Sequence, residues 1–209
     1  FKYAIPKLAK PHKIAGFLRK FPFVECICIS GSLSKDFSTP KGDLDFFIIT
    51  SANRLWIART FMHAFKKLTF LVGAQHSFCM NYYVSCEHLD ITPKNVFTAI
   101  ELATLKPAFI RNGAAEMYET NKDWMQIFLP NWSLNEKPVS PRHNKWFPSR
   151  ATEFVLDKLG GNSINAFLFE MTQRKWIKKW QKKNYDVDAC LKCMAPHFNT
   201  PLNYPTNLP

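Results

Sequence analysis

Two short polar motifs contain the side chains that could do chemistry. Gly31-Ser32 follows one apolar run, and Asp43-Leu44-Asp45 opens another after ten intervening residues. A glycine lets the backbone approach a phosphate closely, and a serine adds a hydroxyl and an N–H donor. Two aspartates that alternate along a strand point to one face, where they could hold Mg²⁺ ions that also bridge nucleotide phosphates. The spacing therefore predicts a phosphate site that faces a metal site.

A simpler interpretation of these residues is a pair of strands whose connecting loop contains glycine, serine and two solvated aspartates. Aspartate is depleted in strands, yet both acids here alternate with apolar residues and lead directly into Phe46-Phe47-Ile48-Ile49. We therefore favour the functional interpretation of the motif.

Hydrophobic periodicity predicts the elements that must position the two motifs. Strands are predicted over 23–29, 43–49 and 77–84, and helices over 7–20, 53–68, 95–105, 114–128, 150–159 and 163–183. Ser51 is a candidate N-cap for the second of these helices. The pattern predicts an α+β fold, in which a small mixed β-sheet is flanked by helices and followed by a C-terminal helical segment.

The same pattern predicts how the chain is divided. Residues 1–131 contain both motifs and are predicted to form the catalytic domain. Residues 132–148 contain three prolines and little periodicity, which is typical of a linker. Residues 149–185 are predicted to form a helical appendage, and 186–209 an irregular tail rich in proline and asparagine.

Composition narrows the class of protein. The formal net charge of +12 favours polyanionic partners, although a basic surface can also be merely solubilising. No stretch approaches the roughly 20 apolar residues that a membrane-spanning helix needs, so we expect no membrane partner. Most of the six cysteines lie in or beside apolar runs, which predicts a reduced, cytoplasmic protein.

The last predicted helix has two different faces. Six cations fall on one half of its circumference: Arg174, Lys175, Lys178, Lys179, Lys182 and Lys183. Phe169, Trp176, Ile177 and Trp180 fall on the other half, so we expect Trp176 and Trp180 to be packing residues. The basic face could contact a phosphate backbone or could simply be solvated.

The central motif resembles a known signature. Gly31-Ser32, a loop and Asp43-Leu44-Asp45 between apolar residues resemble the DNA polymerase beta-type nucleotidyltransferase superfamily. Three later segments are similar to an uncharacterised prokaryotic branch of it: Phe78–Tyr83, Phe97–Glu101, and Asn121–Trp124 with Phe128–Asn131. The resemblance covers roughly residues 10–131.

The resemblance implies roles for particular residues. Gly31 and Ser32 would hold the triphosphate, and Asp43 and Asp45 would be catalytic and hold Mg²⁺ or Mn²⁺. Lys35, in the loop that follows, is a further candidate for nucleotide binding.

The superfamily usually carries a third acid on a neighbouring strand, where it deprotonates the attacking group. Asn81 is the polar residue inside the corresponding predicted strand, and an amide cannot act as a base near neutral pH. We therefore expect any activity to be slow or to depend on another acid, with Glu87, Asp90 and Glu101 as the candidates.

Two functions remain open at this point. The resemblance implies metal-dependent nucleotidyl transfer from an NTP to an acceptor hydroxyl or phosphate on a small molecule, protein or nucleic acid. The alternative is an inactive nucleotidyltransferase-fold protein that binds nucleotide or nucleic acid.

Overall fold

The computed structural model describes residues 4–35, 44–69, 79–133, 145–183 and 185, with the side chains of 4–9, 79 and 81 outside the description. In chain order the elements are α1 (Ala4–Leu18), β1 (Val24–Ser30), α2 (Gly31–Ser34), β2 (Asp45–Thr50), α3 (Leu55–Thr69), β3 (Cys79–Ser85), α4 (Val96–Ala103), β4 (Lys106–Ile110), α5 (Ala114–Phe128), α6 (Phe147–Lys158) and α7 (Gly161–Lys182).

The strands form one sheet in the order β3-β2-β1-β4. β1 is antiparallel to both β2 and β4, whereas β2 and β3 are parallel and are connected through α3. A parallel pair needs a crossover of this kind, because a tight turn cannot bring the chain back to the same end of the sheet. The predicted architecture is confirmed at this level, since a mixed sheet is flanked by helices and followed by a C-terminal helical segment.

Both faces of the sheet are buried, and side chains of β1 and β2 alternate between two clusters. Ile27 and Ile48 join the cluster that includes residues of α1 and α3. Cys28 and Phe47 join the cluster on the other face, with residues of α4 and α5. Strands covered on both faces have near-continuous apolar sequences, as these two do.

Sequence reasoning missed β4. The predicted helix over 95–105 corresponds to α4, which has Asn95 as its N-cap. Pro107 follows that helix directly, and a proline at such a position usually signals only a helix end. Pro107 instead lies inside a strand at the edge of the sheet, paired with Cys28. Proline is tolerated there because an edge strand has no second neighbour that needs its missing N–H.

The start of α3 also differs from the prediction. Ser51 does not cap the helix, since its hydroxyl donates to the Glu25 carboxylate. The side-chain oxygen of Asn165 in α7 instead accepts from the backbone N–H groups of Trp56, at 2.9 Å, and Ile57, at 3.4 Å. A residue more than 100 positions away thus satisfies the free donors that begin α3.

The aromatic face of α7 packs on α3, as predicted for an amphipathic helix. The ring centroid of Trp56 lies 4.9 Å from that of Phe169 and 5.9 Å from that of Trp176. The Arg59 guanidinium lies over both tryptophan rings, 5.6 Å and 5.0 Å from their centroids. Trp180 stacks on Trp176 further along the helix, at 6.1 Å. The cations of the opposite face are exposed.

Two tryptophan substitutions test this packing. We expect Trp176→Ala to lower the free energy of unfolding by about 3–5 kcal/mol, because that ring joins α7 to the core. Trp180→Ala is expected to cost only about 1 kcal/mol, the contribution of one aromatic pair. Urea unfolding monitored by circular dichroism measures both losses. Equal losses for the two variants would show that Trp176 is not the residue that anchors α7.

Candidate functional site

The pairing of β1 with β2 brings the two sequence motifs together. Ser30, the last residue of β1, lies opposite Asp45, the first residue of β2. Gly31 follows with a backbone φ of +70°, a conformation that residues with side chains rarely adopt. A Cβ atom at this position would lie 2.3 Å from Oδ2 of Asp45, so a side chain at residue 31 would clash. The Asp45 carboxylate therefore lies directly against the Gly31 backbone.

This junction opens on a cavity of about 420 Å³. Ser30, Gly31 and Asp45 line one side of it, and residues of α4 and of the chain segment before α4 line the other. Phe47 and Tyr82, from adjacent parallel strands, stack with ring centroids 4.9 Å apart and also line the cavity. Burial raises the pKa of the Tyr82 phenol above its ordinary value, so this wall stays neutral.

One buried side chain of α5 positions the wall formed by the segment before α4. The amide nitrogen of Asn121 donates to the carbonyl of Leu89, and its oxygen accepts from the backbone N–H of Ile91 at 2.8 Å. The same oxygen accepts from the indole N–H of Trp124 at 2.9 Å. Asn121 and Trp124 belong to a segment on which the resemblance rests, and here they hold Ile91 at the cavity.

The charged side chains that line the cavity, among the described residues, are two carboxylates, Asp45 and Glu101. Lys35 lies behind Glu101, with its ammonium 2.6 Å from a carboxylate oxygen of Glu101 and 3.2 Å from the carbonyl oxygen of Gly31. Lys35 thus ties the end of α2 to α4 through its ion pair with Glu101.

The structure brings some of the sequence candidates together and separates others. Gly31, Asp45 and Lys35 meet at the cavity or beside it, and Ser32 follows in α2 with an exposed side chain. Asp43 lies outside the described residues.

The candidates for the third acid also separate. β3 lies beside β2 as expected, and Asn81 falls where the register between them shifts, although its side chain is outside the description. Glu87 follows the far end of β3, where it accepts from Asn53, and Asp90 forms an exposed ion pair with Lys94. Glu101 is the candidate that shares the cavity with Asp45.

A metal ion at this cavity would need several oxygen ligands. Asp45 offers carboxylate oxygens at the cavity, which is the ligand type that Mg²⁺ and Mn²⁺ prefer. Within the described residues, no group of three His, Cys, Asp or Glu side chains could hold a metal ion. A metal ion bound at Asp45 would therefore need further ligands from outside the described residues, and Asp43 is the candidate from the sequence.

A second polar cluster lies at the opposite end of the sheet, and sequence reasoning assigned it no role. The buried Glu25 carboxylate accepts from both Nε and Nη2 of Arg111, from the Asn112 amide at 3.0 Å and from the Ser51 hydroxyl. These bonds tie β1 to the ends of β4 and β2. A lone acid inside an apolar strand was the available signal, but its partner lies 86 residues away.

Comparisons with protein-family models, with curated proteins and with solved structures all found no match to this chain. Among the helices that the structure describes, none has both the length and the apolar character needed to cross a membrane.

A pair of glycine substitutions tests the contact at the centre of the site. Gly160 also has a positive φ, +86°, but no atom lies within 4 Å of where its Cβ would be. We expect Gly160→Ala to cost about 1–2 kcal/mol, from the left-handed backbone alone. Gly31→Ala should cost about 1–3 kcal/mol more, because it adds the clash with Asp45. Urea unfolding of both variants measures the difference, and equal costs would mean that Asp45 does not lie against Gly31.

Proposed function

We propose that this chain is a nucleotidyltransferase that moves a nucleotidyl group from an NTP to an acceptor hydroxyl or phosphate. The observation that carries this proposal is the contact between Gly31 and Asp45 at the mouth of the cavity. A phosphate can approach the backbone at Gly31 because no side chain covers it, and the neighbouring carboxylate can hold a cation there.

The proposed reaction is a substitution at the α-phosphorus of the NTP. An acceptor oxygen forms a bond to this phosphorus, and the bond from it to the oxygen that bridges to the β-phosphate breaks. Pyrophosphate leaves, and a hydroxyl acceptor gives up its proton to a base. Asp43 and Asp45 would hold Mg²⁺ or Mn²⁺, which neutralises charge on the polyphosphate when bound.

We assign the role of base to Glu101. Of the acids considered in place of Asn81, it is the one that lines the cavity with Asp45. Its carboxylate is held by the ion pair with Lys35, so it is oriented before a substrate binds. We propose that the main role of Lys35 is to orient the Glu101 carboxylate, and that its second role is to contact the nucleotide.

The alternative of an inactive nucleotide- or nucleic-acid-binding protein is supported by a different observation. The cations of α7 are exposed side by side on the face that turns away from α3. Aligned cations bind a polyanion by releasing its counterions. This surface could serve an inactive binder, or it could bind an anionic partner of the enzyme.

We also propose a reducing, cytoplasmic location. Cys26, Cys28 and Cys86 are free thiols, and the Sγ atoms of Cys26 and Cys28 are 3.7 Å apart, well beyond the roughly 2 Å of a disulfide. Burial raises the pKa of Cys86 to about 12, which keeps this thiol protonated and unreactive near neutral pH.

Substitution of the acids tests the proposed reaction. The protein is incubated with α-³²P-labelled NTPs, Mg²⁺ and a cell extract, and label transferred to an acceptor is measured. Asp45→Asn should reduce transfer at least about 100-fold, because several kcal/mol of transition-state stabilisation are lost. Glu101→Gln should reduce it about 100-fold, as expected for loss of a general base.

Two matched variants serve as controls in the same assay. Asp123→Asn changes an exposed acid of α5, and Glu87→Gln changes the candidate base at the other end of the sheet. Both should transfer label at the wild-type rate. Full activity of Asp45→Asn, or equal losses for Glu87→Gln and Glu101→Gln, would contradict the assignment.

The basic face of α7 is tested separately by charge removal. Replacing Lys178, Lys179, Lys182 and Lys183 with glutamine should leave the fold nearly unchanged, because solvated charges contribute little to stability. If this face binds a polyanion, the variant should bind single-stranded RNA more weakly. The slope of the logarithm of the binding constant against the logarithm of salt concentration should also become shallower, by roughly one unit per lost phosphate contact.

The matched control changes the same number of exposed lysines elsewhere in the chain: Lys67, Lys94, Lys122 and Lys158. It lowers the net charge equally, so the difference between the two variants reports the α7 face rather than total charge. If both variants bind RNA with the same affinity and the same salt dependence, the basic face of α7 does not bind a polyanion and is simply solvated.

A further inference from the structure

Large apolar side chains are exposed on the outer sides of α6 and α7. Phe147 and Phe154 are 78% and 63% exposed, and they lie on the same side of α6 because they are seven residues apart. Leu159, which follows α6, is 68% exposed, and Phe167 of α7 is 61% exposed. Single exposed apolar residues are common, whereas a group of them usually marks an interaction site.

The opposite sides of both helices hold them on the body of the protein. Leu156 of α6 and Leu168 of α7 pack on one small core cluster that contains Phe23. Glu153, which precedes Leu156 by three residues, accepts a hydrogen bond from the backbone N–H of Phe23 at 2.6 Å. Both helices are therefore fixed on one region of the core, with their exposed apolar side chains facing outward.

Cations accompany these apolar side chains. Arg150 and Lys158 are exposed on α6 before and after Phe154, and the Lys158 ammonium lies 5.6 Å from the centroid of the Phe154 ring. On α7 an exposed stripe at intervals of four, three and four residues is first apolar and then basic. Its members are Phe167, Met171, Arg174 and Lys178.

The acids of the same segment do not cancel this positive charge. Residues 145–183 contain nine lysines and arginines but only three acids. Each acid is already in an ion pair: Glu153 with Lys145, Asp157 with Arg54 at 2.7 Å, and Glu170 with Arg174 at 3.3 Å. The outer sides of α6 and α7 are therefore both apolar and positively charged, and they suit a partner that is both apolar and negatively charged.

An anionic lipid surface has these two properties together. Phenylalanine and leucine insert at the boundary between headgroups and acyl chains, while lysine and arginine attract the negative headgroups. A second copy of this chain would bring like charges together. A nucleic-acid backbone would bind the cations but would leave aliphatic side chains such as Val155 and Leu159 in water.

We infer that α6 and α7 bind the surface of an anionic lipid membrane and lie in its plane without crossing it. The binding surface comprises Phe147, Arg150, Phe154, Lys158, Phe167 and Met171. A helix that lies on a membrane does not need the length of one that spans it. The inference differs from the expectation of no membrane partner, which rested only on the lack of a spanning stretch. It goes beyond the proposed reaction and does not depend on it.

Co-sedimentation of the full chain with lipid vesicles tests this inference. Vesicles of equal parts phosphatidylglycerol and phosphatidylcholine should bind the protein. Pure phosphatidylcholine should bind it at least about tenfold more weakly, because the cations then have no anionic headgroups to attract. Raising the salt concentration from about 0.1 M to about 1 M should release much of the protein from the anionic vesicles, since salt screens the attraction.

Paired serine substitutions locate the binding. Phe147→Ser with Phe154→Ser should weaken binding to the anionic vesicles at least about tenfold, because two rings no longer bury apolar surface. The matched control is Leu68→Ser with Ile127→Ser, which removes two similarly exposed apolar side chains from α3 and α5. It should bind vesicles like the wild-type protein. Thermal unfolding checks that both variants fold.

Single-stranded RNA distinguishes a membrane from a nucleic acid. Whatever affinity the wild-type protein has for RNA, the Phe147→Ser and Phe154→Ser variant should keep it, because RNA phosphates bind the cations. A matching loss of RNA binding would mean that the rings stack on bases, and the membrane inference would be wrong. It would also be wrong if no vesicle binds, if both lipid compositions bind equally, or if the control variant loses as much binding. Each of these results is independent of whether NTP label is transferred.

Discussion

The site depends on one close approach, that of the Asp45 carboxylate to the backbone of Gly31. Antiparallel pairing of β1 and β2 places Ser30 opposite Asp45, so the chain leaves β1 directly above the acid that begins β2. Only a residue without a side chain fits there, and it must also adopt a left-handed backbone. A bare backbone beside a carboxylate can receive a phosphate and a cation together.

The remaining elements fix this contact and give it a cavity. The sheet is packed on both faces, so β1 and β2 cannot slip in register without moving both apolar clusters. On the face of Asp45, α4 carries Glu101 to the cavity, and Asn121 holds the preceding segment through Ile91. On the other face α7 packs over α3 through its tryptophans, and its cations remain in solvent.

Local patterns in the sequence were sufficient to predict the positions of the long helices and strands. Alternation and helical spacing predicted three strands and six helices close to their observed positions, because these patterns reflect burial that each element experiences by itself. Gly31 and Asp45 were predicted to lie close together, because each motif stands at the end of an apolar strand and their residue types suit a phosphate and a metal ion. β4 was missed because it is short and contains Pro107, which locally signals an end.

Contacts between distant residues could not be predicted in the same way. Asn165 caps α3 from α7, and Asn121 positions Ile91 from α5, although neither asparagine differs locally from a surface residue. The same limit applies to the acids. Glu87 and Glu101 were equivalent candidates in the sequence, and the direction of β3 and the position of α4 separate them.

The proposed function requires a nucleotide and its metal to bind at the junction of Gly31 and Asp45. The most direct measurement is a crystal structure with a non-hydrolysable NTP analogue and Mn²⁺, with data collected at the manganese absorption edge. We expect an anomalous peak bonded to a carboxylate oxygen of Asp45, with the polyphosphate lying against the backbone at Gly31. A nucleotide bound elsewhere, or manganese that does not contact Asp45 when the nucleotide is present, would contradict it.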